Sequence, residues 1–312
     1  MDVTKKIQAV QANIERIIKG KTAVVELAVV SLLARGHLLI EDVPGVGKTT
    51  LAHSLARSLD CSFKRIQFTS DLLPSDILGV SIFHQQKQAF EFRPGPIFAN
   101  VVLADEINRT TPKTQSSLLE AMNDAQVSVD SVTYQLPQPF MVIATQNPVE
   151  HHGTFPLPES QLDRFLMRIR IGYPDAAEER KILDRQQLLH PADELQPALT
   201  VQEVLDLQNH VEKVRLDESL TDYLLAIVAA TRQSEALTLG VSTRGAMAFH
   251  KAAKARALVR GRDYCLPDDI KDLAPTVLSH RVMLTANHGG LGRFEEAEQV
   301  IRDLVDSVPV PL

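Results

Sequence analysis

A glycine-rich stretch lies between the apolar run that ends at Glu41 and an amphipathic helical pattern that begins at Lys48. Its residues are Pro44, Gly45, Val46, Gly47, Lys48, Thr49 and Thr50. A loop of this composition between a strand and a helix is typical of phosphate binding, because backbone N–H groups and the helix N-terminus face the anion. Lys48 would place its charge at the β and γ oxygens, and the Thr49 hydroxyl would bind Mg²⁺. Asp42 stands where the general pattern has its first glycine.

Two carboxylates follow each other at the end of a second apolar run. Val101–Asp105 is expected to be a buried parallel strand, and Glu106 comes next in the chain. Ligands of such sheets bind at the carboxyl ends of the strands, so this pair would lie beside the phosphate-binding loop. Asp105 would hold Mg²⁺ through water, and Glu106 would polarise the water that attacks the phosphate. The loop and the acid pair together predict hydrolysis of a nucleoside triphosphate.

Three further polar residues could complete such a site. Asn147 follows a third apolar run and could orient water near the γ-phosphate, although an Asn before a proline also forms turns. Arg164 precedes a fifth strand candidate, and Arg244 lies in the first turn of a helix capped by Ser242. A cation there opposes the helix dipole by about 0.3–1 kcal/mol, so Arg244 needs an anionic partner such as a triphosphate. Both arginines could instead be surface ion-pair partners, which contribute about 0–1 kcal/mol.

Short β-rich runs alternate with helical patterns up to about residue 172, which predicts a mostly parallel sheet covered on both faces. The strand candidates are His37–Glu41, Arg65–Phe68, Val101–Asp105, Phe140–Thr145 and Met167–Ile171. The helix candidates are Val3–Ile18, Thr22–Ala34, Lys48–Leu59 and Thr111–Asn123. Two stretches, 81–92 and 126–136, have the alternation of β-hairpins and would stand off this sheet. We therefore expect a doubly wound α/β domain over residues 1–175.

Beyond residue 175 every periodic segment is helical. The candidates are Ala176–Leu189, Val201–Val214, Glu218–Gln233, Thr243–Arg260, Pro267–Ser279 and Phe294–Val305. Their periodicity predicts an all-α second domain over residues 176–312.

The composition is that of an ordinary globular protein and restricts the function classes. With 312 residues, 44% of them hydrophobic, the chain can bury at least one full core. Its net charge of −6 disfavours nonspecific binding to nucleic acid or to an anionic membrane. Cys61 and Cys265 are far apart and His151-His152 has no further ligands at suitable spacing, so neither a disulfide framework nor a zinc site is expected. No apolar segment indicates membrane targeting, and a cytoplasmic protein fits best.

The amino-acid sequences of four motifs resemble those of the MoxR family of AAA+ ATPases. The motifs are Glu-Asp-Val-Pro-Gly-Val-Gly-Lys-Thr (41–49), Ala-Asp-Glu-Ile-Asn-Arg (104–109), Ala-Thr-Gln-Asn-Pro (144–148) and Phe-Pro-Leu-Pro-Glu-Ser-Gln-Leu-Asp-Arg-Phe (155–165). The resemblance implies an AAA+ P-loop core with a five-stranded parallel sheet, followed by an all-α lid. It also implies that ATP and Mg²⁺ bind, with the nucleotide between the core and the lid.

The resemblance further implies a role for each candidate residue. The Walker A, Walker B, sensor 1 and sensor 2 residues would be, in that order, Gly45 to Thr50, Asp105 with Glu106, Asn147, and Arg244. Gly20 would lie near the adenine, although a simple turn between two helices explains it as well. Arg164 would be an arginine finger that reaches the nucleotide of a neighbouring subunit. Asn108-Arg109 fits the family pattern at the subunit junction without a definite role.

Because an arginine finger acts between subunits, the resemblance implies a ring, expected to be a hexamer. It implies chaperone-like remodelling or maturation of protein complexes, with protein clients and a partner that carries a von Willebrand factor A domain. Two alternatives stay open. One is a DNA-remodelling AAA+ motor, which the acidic charge balance disfavours. The other is a nucleotide-gated scaffold without hydrolysis, against which the presence of Glu106 argues.

Overall fold

The computed structural model describes residues 2–148, 153–184, 191–285 and 292–311. His151-His152 and the last residues of the helix expected over Ala176–Leu189 lie outside these ranges. The strands are β1 (Leu38–Glu41), β2 (Phe63–Gln67), β3 (Gly79–His84), β4 (Ala89–Pro94), β5 (Val101–Asp105), β6 (Gln126–Val129), β7 (Val132–Gln135), β8 (Met141–Gln146), β9 (Met167–Ile169), β10 (Leu237–Leu239) and β11 (Met283–Leu284). The helices are α1 (Val3–Glu15), α2 (Thr22–Leu33), α3 (Lys48–Ser58), α4 (Pro74–Leu78), α5 (Pro112–Asp124), α6 (Glu159–Leu162), α7 (Ala176–Asp184), α8 (Val201–Lys213), α9 (Glu218–Gln233), α10 (Thr243–Val259), α11 (Pro267–Lys271), α12 (Ala274–Leu278) and α13 (Gly292–Ser307).

Five strands form one parallel sheet in the order β2-β5-β8-β1-β9. Leu38 at the start of β1 pairs with Ile143 of β8 on one side and with Met167 of β9 on the other. All neighbouring pairs are parallel, so the carboxyl ends of β1, β5 and β8 meet at one edge. The five-stranded parallel sheet expected from the sequence is confirmed, and its carboxyl edge is where the candidate phosphate loop and acids lie.

Alternate residues of the strands bury into two hydrophobic clusters, one on each face of the sheet. Leu38 and Ile40 of β1 belong to the first cluster, and Leu39 belongs to the second. Because successive side chains of a strand point to opposite faces, a sheet covered on both faces needs continuous apolar strands. Helices α1 to α3 and several C-terminal helices contribute to the first cluster, while α4 and α5 contribute to the second. The first cluster thus contains residues from both sides of the boundary proposed at residue 175.

Two antiparallel hairpins stand beside the sheet. β3 pairs with β4, and β6 pairs with β7. The ring of Phe92 stacks on that of Tyr134 with centroids 4.1 Å apart, so the two hairpins lean on each other. Phe83 and Phe90, near the end of the first hairpin, pack together and remain exposed.

The C-terminal part is helical, as expected, with two local differences. Leu237 pairs with Leu284 in a small antiparallel sheet of β10 and β11, whose strands are too short to stand out in the sequence. The helix expected over Pro267–Ser279 is divided into α11 and α12, because Pro275 lies in the first turn of a new helix. Within the described ranges, every helix falls short of the length and apolarity needed to cross a bilayer.

Candidate functional site

Two glycines curl the loop that follows β1. Gly45 and Gly47 have φ angles of 86° and 93°, in the left-handed region that other side chains disfavour. A Cβ at either position would meet nothing within 4 Å, so the backbone conformation and not crowding requires glycine. Gly47 immediately precedes α3, whose first N–H groups have no partner within the helix. The loop and this helix end therefore have the backbone geometry and dipole that suit an anion.

Asp42 anchors the start of this loop to the chain beyond β9. Its Oδ2 accepts hydrogen bonds from the backbone N–H groups of Ile171 at 2.8 Å and Gly172 at 2.7 Å. Its Oδ1 accepts one from the N–H of Val43 at 2.8 Å. A glycine at position 42 would leave these backbone donors without their acceptor. The departure from the usual pattern thus has a structural role, which is to hold the loop against residues 171–172.

The side chain of Lys48 lies between two strand ends. Its ammonium donates to the backbone carbonyl of Asp42 and, at 3.4 Å, to that of Gln146. Burial lowers the pKa of Lys48, and the nearby carboxylates of Asp42 and Asp105 oppose this shift. Lys48 lines the same cavity as the loop, where its positive charge would suit a phosphate.

Both oxygens of the Asp105 carboxylate accept hydrogen bonds. Oδ1 accepts from the hydroxyl of Thr145 at 2.6 Å. Oδ2 accepts from two atoms of Arg65, from Nε at 3.0 Å and from Nη2 at 2.6 Å. Thr145 is fully buried and also accepts a hydrogen bond from the backbone N–H of Glu106 at 2.8 Å. Thr145 therefore fixes both acidic residues to β8.

Glu106 adopts a backbone conformation that is uncommon for its residue type. Its φ is 58°, and such left-handed residues cost about 1–3 kcal/mol and cluster at functional sites. The amide of Gln67 donates to Oε2 of Glu106 at 2.8 Å, and Nε of Arg109 lies 3.3 Å from the same oxygen. Glu106 is thus held at the end of β5 by a strained turn and two polar side chains.

The phosphate loop, Arg65 and the two acidic residues line one cavity of about 360 Å³. Its lining residues are Pro44, Gly45, Gly47, Lys48, Thr49, Thr50, Arg65, Asp105, Glu106 and Asn147. A helix N-terminus, an ammonium, hydroxyls and two carboxylates suit a triphosphate accompanied by a divalent cation. The Thr49 hydroxyl and the Asp105 carboxylate are hard oxygen donors, which fits Mg²⁺. We name this space the loop cavity.

Two residues expected to bind nucleotide do not line the loop cavity. Val46 buries its side chain in the first hydrophobic cluster. Gly20 forms the turn between α1 and α2 with φ 68°, and a Cβ there would lie 3.7 Å from Glu178. The neighbouring Lys21 donates to the carbonyl of Tyr173 at 2.7 Å. Gly20 therefore lies against residues 173–178, which directly follow Ile171 and Gly172, the backbone partners of Asp42.

Arg164 and Arg244 line a different cavity, of about 500 Å³. His37, which precedes β1, also lines it, whereas the phosphate loop follows β1. β1 has 4 residues, and at a rise of about 3.3 Å per residue its first and last Cα atoms are about 10 Å apart. The charged residues of this cavity are Arg35, Arg164, Arg244, Lys251 and Arg281 against Asp124 and Asp163. We name it the arginine cavity, and its charge favours an anionic ligand.

The two cavities share no lining residue, and no described residue beyond 175 lines the loop cavity. Another cavity, of about 330 Å³, shares Asn147 with the loop cavity and is lined by Glu41 of β1 and by Ser279 and His280 of the C-terminal part. Arg244 lies with Arg164 and away from its own phosphate loop.

Asp163 connects the segments that carry the two arginines. Its Oδ1 accepts a hydrogen bond from Nε of Arg281 at 2.9 Å, and its Oδ2 accepts one from the hydroxyl of Ser242 at 2.9 Å. Ser242 also caps α10, because its Oγ accepts the N–H of Gly245 at 3.0 Å. Burial lowers the pKa of Arg281 to about 10, and Asp163 opposes that shift. One carboxylate therefore joins the end of α6, next to Arg164, to the start of α10.

Four residues around the two cavities were not predicted from the sequence: Arg65, Gln67, Thr145 and Asp163. Arg65 and Gln67 could have been noticed in the sequence, because two polar residues that are two positions apart at the end of a strand lie on the same face. Gln67 pairs with Asp105 in the sheet, which brings that face to the acidic residues. Nothing in the sequence indicated that β2 is the neighbour of β5, since this follows from the order of the strands.

The chain matches two family models. Residues 37–167 match the model described as the ATPase family associated with various cellular activities (AAA), and residues 229–304 match the AAA lid domain. The second match agrees with the helical C-terminal part.

Several proteins are similar over nearly the whole chain. The uncharacterized protein YeaC of Bacillus subtilis is 52% identical and covers 96% of this chain, with 93% of its own length matched. The chaperone MoxR1 of Mycobacterium tuberculosis is 42% identical over 96% of this chain and 81% of its own. A crystal structure of a protein from Cytophaga hutchinsonii superposes with a TM-score of 0.89 at 37% identity, over 99% of this chain and 96% of that one.

Proposed function

Because the chain belongs to the MoxR family of AAA+ ATPases, we propose that it hydrolyses Mg²⁺-bound ATP in a ring of subunits. In this proposal the loop N–H groups and Lys48 bind the phosphates, while Thr49 and Asp105 hold the Mg²⁺. The ion would neutralise charge between the β- and γ-phosphates. Glu106 polarises the attacking water, and Asn147 orients it. Gly20 is proposed to border the adenine.

The separation of the two cavities carries the proposal of a ring. We assign the cation cavity and the phosphate cavity to different nucleotides because they lie at opposite ends of β1 and share no lining residue. Head-to-tail packing would place the arginine cavity of one subunit over the loop cavity of the next, and such contacts close into rings. Arg164 and Arg244 would then both act on the neighbour's γ-phosphate, where cations stabilise the transition state. We propose that the ring has six subunits.

We propose that the energy of hydrolysis drives chaperone-like remodelling or maturation of protein complexes. The support is the name of one relative, the chaperone MoxR1, together with similarity over most of both chains. A partner with a von Willebrand factor A domain and a cytoplasmic location are part of the same proposal. Two free, buried cysteines are compatible with a reducing compartment.

The test is ATPase activity measured against protein concentration, with particle mass determined under the same conditions. We expect specific activity to rise as rings assemble, to require Mg²⁺, and to fall on Lys48→Ala substitution through loss of ATP binding. Full activity of a confirmed monomer would contradict the ring. Stimulation by DNA would instead favour a DNA-remodelling motor, and ATP binding without turnover in assembled rings would favour a scaffold.

A further inference from the structure

Arg65 occupies the side of Asp105 that faces the loop cavity. The side chain of Arg65 lines that cavity together with Lys48 and Thr49. Two of its nitrogens donate to Oδ2 of Asp105, and a carboxylate oxygen has two lone pairs to offer. The hydrogen-bonding capacity of Oδ2 is therefore filled by one guanidinium.

A metal ion at this site would compete with that guanidinium. Oδ1 of Asp105 accepts from the buried hydroxyl of Thr145 on β8 and keeps one lone pair, whereas Oδ2 lies on the side of Arg65, which lines the cavity. Direct coordination of the ion and a bridging water both need an acceptor lone pair on this carboxylate. The positive charge of Arg65 also repels a dication placed beside it.

Arg65 is able to leave. Its side chain is 50% exposed, whereas that of Asp105 is 13% exposed. Water screens the half-exposed guanidinium, so the pair is held less strongly than one in which both groups are buried. Gln67 offers an alternative partner, because its Oε1 already accepts from Nη2 of Arg65 at 2.9 Å. The contact is therefore weak enough to be exchanged when metal and nucleotide arrive.

We infer that Arg65 is a positioning residue, whose guanidinium holds the Asp105 carboxylate until Mg²⁺ displaces the guanidinium. This exchange sets how strongly Mg²⁺ enhances nucleotide binding. This inference rests on the proposed Mg²⁺–ATP site. In the metal-free protein the guanidinium keeps the Asp105 carboxylate in place and balances its negative charge. Metal loading is then an exchange of one cation for another at Oδ2.

The experiment measures binding and not turnover. The dissociation constant of a fluorescent, non-hydrolysable ATP analogue is determined in EDTA and in saturating Mg²⁺, and the ratio of the two constants is compared between variants. Arg65→Gln removes the competing charge, and Arg65→Lys keeps the charge with a single donor group. Lys64→Gln is the matched control, because Lys64 is exposed and its side chain points to the opposite face of β2.

We expect the dissociation constant in EDTA divided by that in Mg²⁺ to rise about three- to tenfold in Arg65→Gln. The reason is that Arg65 no longer competes with Mg²⁺ at Asp105, and such competition reduces the apparent affinity in proportion to the fraction of sites that are free. Arg65→Lys should lie between this variant and the wild type, and Lys64→Gln should match the wild type. An unchanged or smaller ratio in a folded Arg65→Gln protein would overturn the inference. If the wild type fails to bind the analogue in either condition, the proposed nucleotide site itself is wrong.

Discussion

Oδ2 of Asp163 accepts a hydrogen bond from the hydroxyl of Ser242 at 2.9 Å. Asp163 immediately precedes Arg164, and Ser242 caps the helix whose first turn carries Arg244. The contact joins segments 79 positions apart in the sequence. The two arginines are therefore presented as one unit, in a cavity away from the phosphate loop of their own subunit.

Ser242→Ala should separate this positioning from nucleotide binding. Loss of the cap should cost about 1 kcal/mol of stability. Loosening of Arg244 relative to Arg164 should reduce kcat by roughly tenfold, because a small displacement of positioning groups is costly. ATP affinity should be unchanged.

Thr200→Ala is the matched control for Ser242→Ala. Thr200 caps α8 through Glu203, in the same helical part but away from both cavities. A loss of kcat as large as that in Ser242→Ala would mean that lid stability alone matters, and would argue against the positioning role.

Asp42→Gly restores the glycine of the general phosphate-loop pattern and should nevertheless be harmful. The N–H groups of Ile171 and Gly172 lose their acceptor, which should cost about 1–3 kcal/mol of unfolding free energy. Nucleotide affinity should fall with it, as the loop loses its anchor. Asp42→Asn keeps one acceptor oxygen and should be milder. Denaturant unfolding and analogue binding check both effects, and a more stable Asp42→Gly protein would refute the anchor.

Glu106→Gln should bind ATP with near wild-type affinity and hydrolyse it about 10²–10⁴-fold more slowly, the usual contribution of a general base. The glutamine amide has the size of the glutamate carboxylate, so the side chain can keep its place beside Gln67 and Arg109 while its charge is removed. Single-turnover hydrolysis measures the chemical step. Normal turnover would mean that another group positions the water.

His37 should make stability depend on pH. Its Nδ1 accepts from the N–H of Val142 and its Nε2 contacts the carbonyl of Met122, which suits the neutral ring. Burial lowers the pKa of His37 from 6.5 to about 4. Between pH 6.5 and 4 the unfolded chain therefore binds a proton at His37 while the folded protein keeps this ring neutral. The free energy of unfolding falls as the pH drops through this range.

The loss attributable to His37 should reach about 2 kcal/mol at pH 5. His37→Gln can retain one acceptor and one donor without titrating, so its unfolding free energy should change less over this range. Equal pH slopes for both proteins in denaturant titrations would assign the effect to other groups.

The sheet was predictable because its strands are continuous apolar runs, and a parallel sheet covered on both faces requires them. The strand at 140–145 begins one residue later than expected, at Met141, and extends to Gln146. Such shifts reflect hydrogen bonding at strand ends, which composition does not encode. The short strands β10 and β11 were not predictable, because Leu237 and Leu284 are brought together by the packing of the helices.

The residues of the loop cavity were predictable from types and spacing, since a phosphate loop and an acid pair each occupy a few consecutive positions. The location of Arg244 was not. It depends on how α10 packs, and the hydrogen bond from Ser242 to Asp163 forms only in the folded chain. Arg65 was missed for the same reason, because the order of β2 and β5 in the sheet brings it to Asp105.

Mixed rings test the central claim that Arg164 and Arg244 act together on the nucleotide of a neighbour. Inactive variants are mixed in pairs, mixed assembly is verified by native mass spectrometry, and ATPase activity is measured. Glu106→Gln should be rescued by Arg164→Ala and equally by Arg244→Ala, because about one junction in four then combines intact groups. Arg164→Ala with Arg244→Ala should give no recovery, since every junction lacks one arginine. Recovery in that last mixture, with none from Arg244→Ala and Glu106→Gln, would place Arg244 on its own subunit's nucleotide and contradict the account.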